Sequence, residues 1–151
     1  MKIRKFRKTD AKEVCNIIRR CDKEIASKDY PKEVINFWDQ NLTEEYINQK
    51  SNKRKCFVLE ENGKVVGYIS FDGREIRKLH VNPDFHGRGI GKKLVDKVEK
   101  LCIKKRIGKI IVKSSIFAEK FYEKIGFKKV KIIYSNKGHV SFKLIYMEKK
   151  L

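Results

Sequence analysis

The run His86-Gly87-Arg88-Gly89-Ile90-Gly91 sets three glycines at alternate positions and leads directly into Lys92, Lys93 and Leu94. Ile90, Leu94, Val98 and Leu101 recur at the spacing of one helix face, so a helix over about 89–106 opens inside the glycines. The first N–H groups of a helix have no partner within it, and the helix dipole adds partial positive charge at that end. Glycines let a large anion reach those groups without meeting a Cβ. Arg88, Lys92 and Lys93 add cationic donors. The chemistry this arrangement suits is the binding of a pyrophosphate.

Two familiar cradles fail on residues. A P-loop needs Ser or Thr after its Gly-Lys pair to hold magnesium, and Gly91-Lys92 is followed by Lys93. A dinucleotide fold needs G-x-G-x-x-G and an acidic residue about twenty positions on. The spacing here is G-x-G-x-G, and the later region holds Lys104, Lys105 and Arg106. Cys15, Cys21, Cys56 and Cys102 have no zinc-ligand spacing, so free buried thiols and no metal site are expected.

The elements that must position this chemistry change period along the chain. Residues 2–6 suit a short strand. Thr9 or Asp10 can cap a helix carrying Val14, Ile17, Ile18, Cys21 and Ile25. Pro31 can open a second helix at its first turn, and a third is expected near 43–50 behind Thr43. CFVLE (56–60) and KVVGYISF (64–71) flank Asn62-Gly63, a hairpin signal. A strand over 74–82 precedes the glycines. KIIVK (109–113) suits a strand buried on both faces, and SSIFAEKFYEKIGF a helix stopped by Gly126. Strands at 127–135 and 140–147 would pair across Asn136-Lys137-Gly138. This order makes a mixed α/β domain.

One domain spanning 1–151 is expected from the length. No apolar run is long enough to span a bilayer, and the basic N-terminus MKIRKFRKTD lacks the apolar core of a secretory signal, so the expected location is cytoplasmic, away from membranes. Lys and Arg number 38 against 19 acids, a formal net charge of +19 that draws anions of many kinds. A nucleic-acid-binding module would cluster its basic residues with interleaved aromatics. Here lysines are dispersed and mixed with acids, as in KEVINFWDQNLTEEYINQK, which argues against nucleic acid as the partner.

The glycine run resembles the coenzyme-A signature of the GNAT superfamily of acyl-CoA N-acyltransferases, [QR]-x-x-G-x-[GA] at a strand end, with His86 where Gln or Arg is usual. LHVNPDFHGRGIG is similar to that family's strand, loop and helix, and SSIFAEKFYEKIGF to its late helix with an A-x-x-x-Y-x-K-x-G-F ending. The element order matches from Met1 to about Met147.

The resemblance implies a mixed, mostly antiparallel sheet with a splayed parallel strand pair, flanked by helices. It implies acetyl-CoA as acyl donor, no metal, and direct attack of an amine on the thioester through a tetrahedral intermediate. The pantetheine arm would lie beside Leu79, His80 and Val81, with KIIVK as the splayed neighbour. His86, Gly87, Arg88, Gly89, Ile90, Gly91 and Lys92 would hold the pyrophosphate, and Ser115 would contact the cofactor unless it caps its helix. Tyr122 matches the family's acid for the leaving thiolate, with Phe117, Phe121 and Ile125 supplying the helix's core face.

Glu75 matches the base of some members. Alternation places it on the face of Arg77, Leu79 and Val81. Asp72, His80 and water are the other candidates, and an acyl-cysteine route is disfavoured. Residues 10–50 and 127–147 would select the acceptor, a small-molecule amine or a protein or peptide amine. Tyr30, Phe37, Trp38 and Tyr46 sit there, and their spacing suits core more than pocket. Homodimerisation is a tendency of the family. The rivals are a basic nucleic-acid-binding module and a non-catalytic CoA-binding domain.

Overall fold

The computed structural model describes residues 1–151. Strand β1 (Lys2–Lys5) is followed by helices α1 (Ala11–Glu24), α2 (Lys32–Asn41) and α3 (Glu44–Lys53). Strands β2 (Lys55–Glu61), β3 (Lys64–Asp72) and β4 (Glu75–Val81) lead to α4 (Ile90–Lys104). Then come β5 (Lys109–Ser114), α5 (Glu119–Lys124), β6 (Lys128–Lys137) and β7 (Val140–Lys150). All seven strands form one sheet in the order β1-β2-β3-β4-β5-β7-β6, antiparallel throughout except between β4 and β5. The expected architecture is therefore present.

Local sequence explains most boundaries. Asn62 and Gly63 both take positive φ (52° and 77°), the two-residue turn whose twist suits a hairpin. The Thr43 hydroxyl accepts a hydrogen bond from the Tyr46 N–H at 3.0 Å and starts α3. Val14, Ile17, Ile18 and Cys21 bury one stripe of α1 against Val58, Val65 and Tyr68 of the sheet. Ile90, Leu94, Val95 and Val98 of α4 bury against the opposite face, with Ile69, Phe71 and Ile76. β5 is buried on both sides, as its composition required: Ile110, Ile111 and Val112 all lie inside.

Four expectations need correction. Pro31 precedes α2 as its extended N-cap rather than lying in the first turn. α5 is short, because residues 115–118 form turns and Ala118 is the cap, so Ser115 does not cap the helix. The last hairpin turns at Gly138-His139, since Lys137 already pairs with Val140. Asp10 stands at the α1 cap position but does not bond to that helix. Its carboxylate instead accepts both Arg4 guanidinium nitrogens, at 2.8 and 3.0 Å, and the Arg7 N–H at 2.7 Å.

That Arg4–Asp10 pair is nearly buried, and Glu60 completes it at 2.9 Å from Arg4. Burial works to raise the Asp10 carboxyl, but the hydrogen bonds from Arg4 and Arg7 outweigh it and hold the group below its usual value. Asp10→Asn should cost about 3 kcal/mol in urea unfolding at neutral pH, because it removes the paired carboxylate from a nearly buried guanidinium and leaves only Glu60 on it. A depressed folded-state pKa contributes stability above the unfolded value and loses it as pH falls through the folded one. The difference between wild type and variant should therefore shrink in acid.

Candidate active site

The glycine run forms the turn between β4 and α4. Gly87 and Gly89 have φ of 79° and 77°, left-handed backbone that a side chain would strain, and a Cβ at either would meet open space. Gly91 has a different reason: its Cβ would lie 3.0 Å from the Phe121 ring of α5. The first helical bond runs from Lys93 N–H to the Gly89 carbonyl at 3.0 Å, which leaves the N–H groups of Ile90, Gly91 and Lys92 without helical partners. Arg88 makes a paired contact to Glu61 (3.0 and 2.8 Å) and covers the Phe85 ring, and Lys92 meets Asp96 at 3.0 Å. The main chain is thus the cradle's uncommitted donor set. The His86 Nε2 donates to the Val81 carbonyl at 2.8 Å and ties the loop back to the strand end.

β4 and β5 pair at only two positions, Glu75 with Ile111 and Ile76 with Val112, and then separate. On the other side β4 stays paired with β3, where the Asn82 N–H donates to the Val66 carbonyl at 2.8 Å and Tyr68 faces His80. Ladder alternation then gives the His80 main chain to β3 and turns the amides of Leu79 and Val81 toward the gap. Of the three residues expected to offer main chain, two do so. His80 instead lends its side chain to the gap's wall.

A cavity of about 500 Å³ lies at the gap and is lined from both faces of the sheet. Tyr122 and Ala118 of α5 line one end, Asp22 of α1 and Trp38 of α2 the other, with Leu79 and Ser115 between. Phe37, Trp38 and Tyr46 line it too, so these aromatics are wall rather than core, and Phe117 joins them. Tyr30 is core: its hydroxyl donates to the Lys143 carbonyl at 2.6 Å and accepts from the Ile116 N–H at 3.1 Å.

The titratable groups differ in setting. Tyr122 is buried beside Phe121 and Phe127, and burial alone pushes its hydroxyl above the usual tyrosine range. A β-bulge leaves Arg77 unpaired between Ile76 (opposite Phe71) and Lys78 (opposite Ser70). The bulge breaks the alternation: Ile76, Leu79 and Val81 all pack toward the α4 core, so Glu75 does not share the face of Leu79. Glu75 stands where the strands still pair, outside the cavity lining, with Arg77 at 3.5 Å.

Asp22 was not singled out by its sequence setting, yet it lines the cavity, buried, with neither a hydrogen bond nor a salt bridge. Burial pushes it up to about 6, against the pull of Lys78 and Arg19. Its signal was present: an acid beside Cys21 on the apolar stripe that also holds Ile18. Burial likewise lowers His80 to about 3, so its ring is neutral, and lifts the Cys21 thiol to about 12, which removes it as a nucleophile. All four cysteines are free and buried.

Residues 21–151 match the model of the acetyltransferase (GNAT) domain. The chain belongs to the GNAT acetyltransferase family. It is 31% identical over 131 residues to the uncharacterized N-acetyltransferase YafP of Escherichia coli, covering 87% of this chain and 83% of that one. The crystal structure of a GCN5-related N-acetyltransferase from Rhodopseudomonas palustris superposes with a TM-score of 0.93 at 23% identity, over 99% and 95% of the two chains. PaiA N-acetyltransferase from Thermoplasma acidophilum, solved in complex with coenzyme A, superposes with a TM-score of 0.79 at 23% identity, over 99% and 98%.

The positive φ at the α4 cap makes a simple test. Gly89→Ala should lower stability by about 1 kcal/mol in denaturant unfolding, the cost of a left-handed backbone carrying a Cβ.

Proposed function

We propose that this protein transfers an acetyl group from acetyl-CoA to a primary amine by direct attack. One observation carries the reading: a cavity lies where β4 and β5 part, with unpaired main chain of β4 beside it, and the same strand leads on into the glycine cradle. The free N–H groups of Ile90, Gly91 and Lys92, on the turn shaped by His86, Gly87, Arg88 and Gly89, receive the pyrophosphate. The pantetheine arm runs through the gap against Leu79 and Val81, past the side chains of His80 and Ser115. Family membership and the complex of PaiA with coenzyme A support this placement.

The chemistry follows from the groups in place. The amine nitrogen bonds to the thioester carbon, and the carbonyl oxygen becomes an oxyanion that a free β4 N–H can stabilise. The intermediate collapses by breaking the C–S bond. The raised pKa keeps Tyr122 protonated at physiological pH, so its hydroxyl is always available to donate to the departing sulfur. The proton shed by nitrogen passes through water to Glu75, whose position below the cavity rules out direct contact with the amine. A non-catalytic CoA-binding domain has no use for a cavity whose lining extends to Asp22, Trp38 and Tyr46 of α1–α3.

Acetyl-CoA at a hundred times its Kd should raise the melting temperature by several degrees, more than ATP does. Tyr122→Phe should keep that shift while kcat falls about a hundredfold, and Glu75→Gln should lower kcat with little change in cofactor affinity. An unchanged kcat in Tyr122→Phe would remove the tyrosine from the mechanism.

A further inference from the structure

The acceptor end of the cavity has an unusual charge pattern. Lys50, Arg77, Lys78, Lys113 and Lys137 line it, from α3, β4, β5 and β6, and Asp22 is the only acid among its lining residues. Lys50, Lys78, Lys113 and Lys137 have no carboxylate partner, although salt bridges are common elsewhere on the surface. Arg77 has only Glu75 at 3.5 Å. These cations crowd one another. Arg54 chiefly, with Lys53, Lys137 and Arg77, lowers the pKa of Lys50. Burial lowers Lys78 most, Asp22 acts against it, and Arg54, Lys137 and Arg77 add to the lowering. None of residues 86–93 lines this cavity, so the cluster is separate from the pyrophosphate cradle. Asp22 offsets Lys78 at the inner end, and the remaining cations, with no carboxylate to balance them beyond the loose Glu75 contact to Arg77, are a site for an anion.

Asp22 breaks the pattern at one point. It is buried on α1, faces the cavity and makes no hydrogen bond. A buried carboxylate without a partner is costly, and an ammonium group is its natural complement. Trp38, Phe37 and Phe142 supply flat apolar walls around both charged groups.

We infer that the acceptor is a small amine that also carries an anionic group, with its amino group received at Asp22 and its anion by Lys50, Arg77 and Lys137. This rests on the acetyltransferase reading and adds the substrate class. It excludes polyamines, whose second positive charge would face the lysines.

Trp38 is the chain's only tryptophan and lines the cavity, so its emission reports occupancy without turnover. The probes are 4-(aminomethyl)benzoate and L-phenylalanine, each against its carboxamide, with cadaverine as a dication, titrated in the presence of CoA. The carboxylates should bind at least tenfold more tightly than their carboxamides. The preference should fall to near unity in Lys50→Ala/Lys137→Ala, and Asp22→Asn should weaken every amine at least tenfold. In turnover assays the lysine changes should raise KM for the carboxylates and spare kcat. Equal affinity for acid and amide, tighter binding of cadaverine, or no Trp38 response to any probe would overturn the proposal. If acetyl-CoA itself gave no thermal shift, the acetyltransferase reading would fail instead, which separates the two failures.

Discussion

Two rungs of parallel pairing hold β4 to β5, and the gap and its cavity depend on their stopping there. A continuous ladder would satisfy the amides of Leu79 and Val81 and close the sheet. Leaving a buried donor unpaired costs roughly 1–3 kcal/mol, so an open gap must be held by contacts elsewhere. Two clamps do this. On the β4 side, Arg20 of α1 bonds Asn82 (3.1 Å) and Asp84 (3.0 and 3.1 Å), while the Cys21 thiol donates to the Val81 carbonyl at 3.2 Å. On the β5 side, Tyr30 ties the turn at Ile116 to β7 through Lys143. Helix α1 anchors the first clamp, and the segment after it supplies the second.

The carbonyl and the amides along the gap are treated differently. The Val81 carbonyl is satisfied twice over, by Cys21 and His86. The N–H groups of Leu79 and Val81 have no such substitute outside the ladders. Donors are left free along the gap, where the proposed reaction would form its oxyanion, and the acceptor is occupied. The bulge at Arg77 serves the same end. It turns Lys78 and His80 toward α1 while keeping Ile76 and Leu79 in the α4 core, so the strand can wall a cavity on one face without losing its packing on the other.

The sequence carried the element order and the cradle because both rest on local rules. Helical spacing in α1 and α4, the Asn62-Gly63 turn and the G-x-G-x-G run each speak through neighbouring residues. What it did not carry comes from register. The bulge at Arg77 depends on how β3 meets β4, so alternation placed Glu75 on the wrong face. Ser115 looked like a cap because Ser is a good one, but the turn at 115–118 is fixed by Tyr30, a residue more than eighty positions away. Phe37, Trp38 and Tyr46 have core-like spacing because they do pack, yet they pack around a cavity. Asp22 is one of three acids on α1, with Glu13 and Glu24, and an acid among mixed charges reads as a surface group until the helix is docked.

The net charge also divides once the fold is known. A value of +19 is a statement about the whole field, and it raises the local concentration of any anion. Specificity requires that the charges differ in their partners. Arg88 and Lys92 beside the cradle are already paired with Glu61 and Asp96, so on the proposed reading phosphates would meet main-chain donors and Lys93, whose ammonium contacts only the Met1 sulfur at 3.4 Å. Lys50, Lys113 and Lys137 along the cavity lack such partners. The cradle is therefore built chiefly on helix geometry, and the cavity beside it on free side-chain charge. On the proposed reading the two places would recognise two different anions, a pyrophosphate and an acidic acceptor, without competing for them.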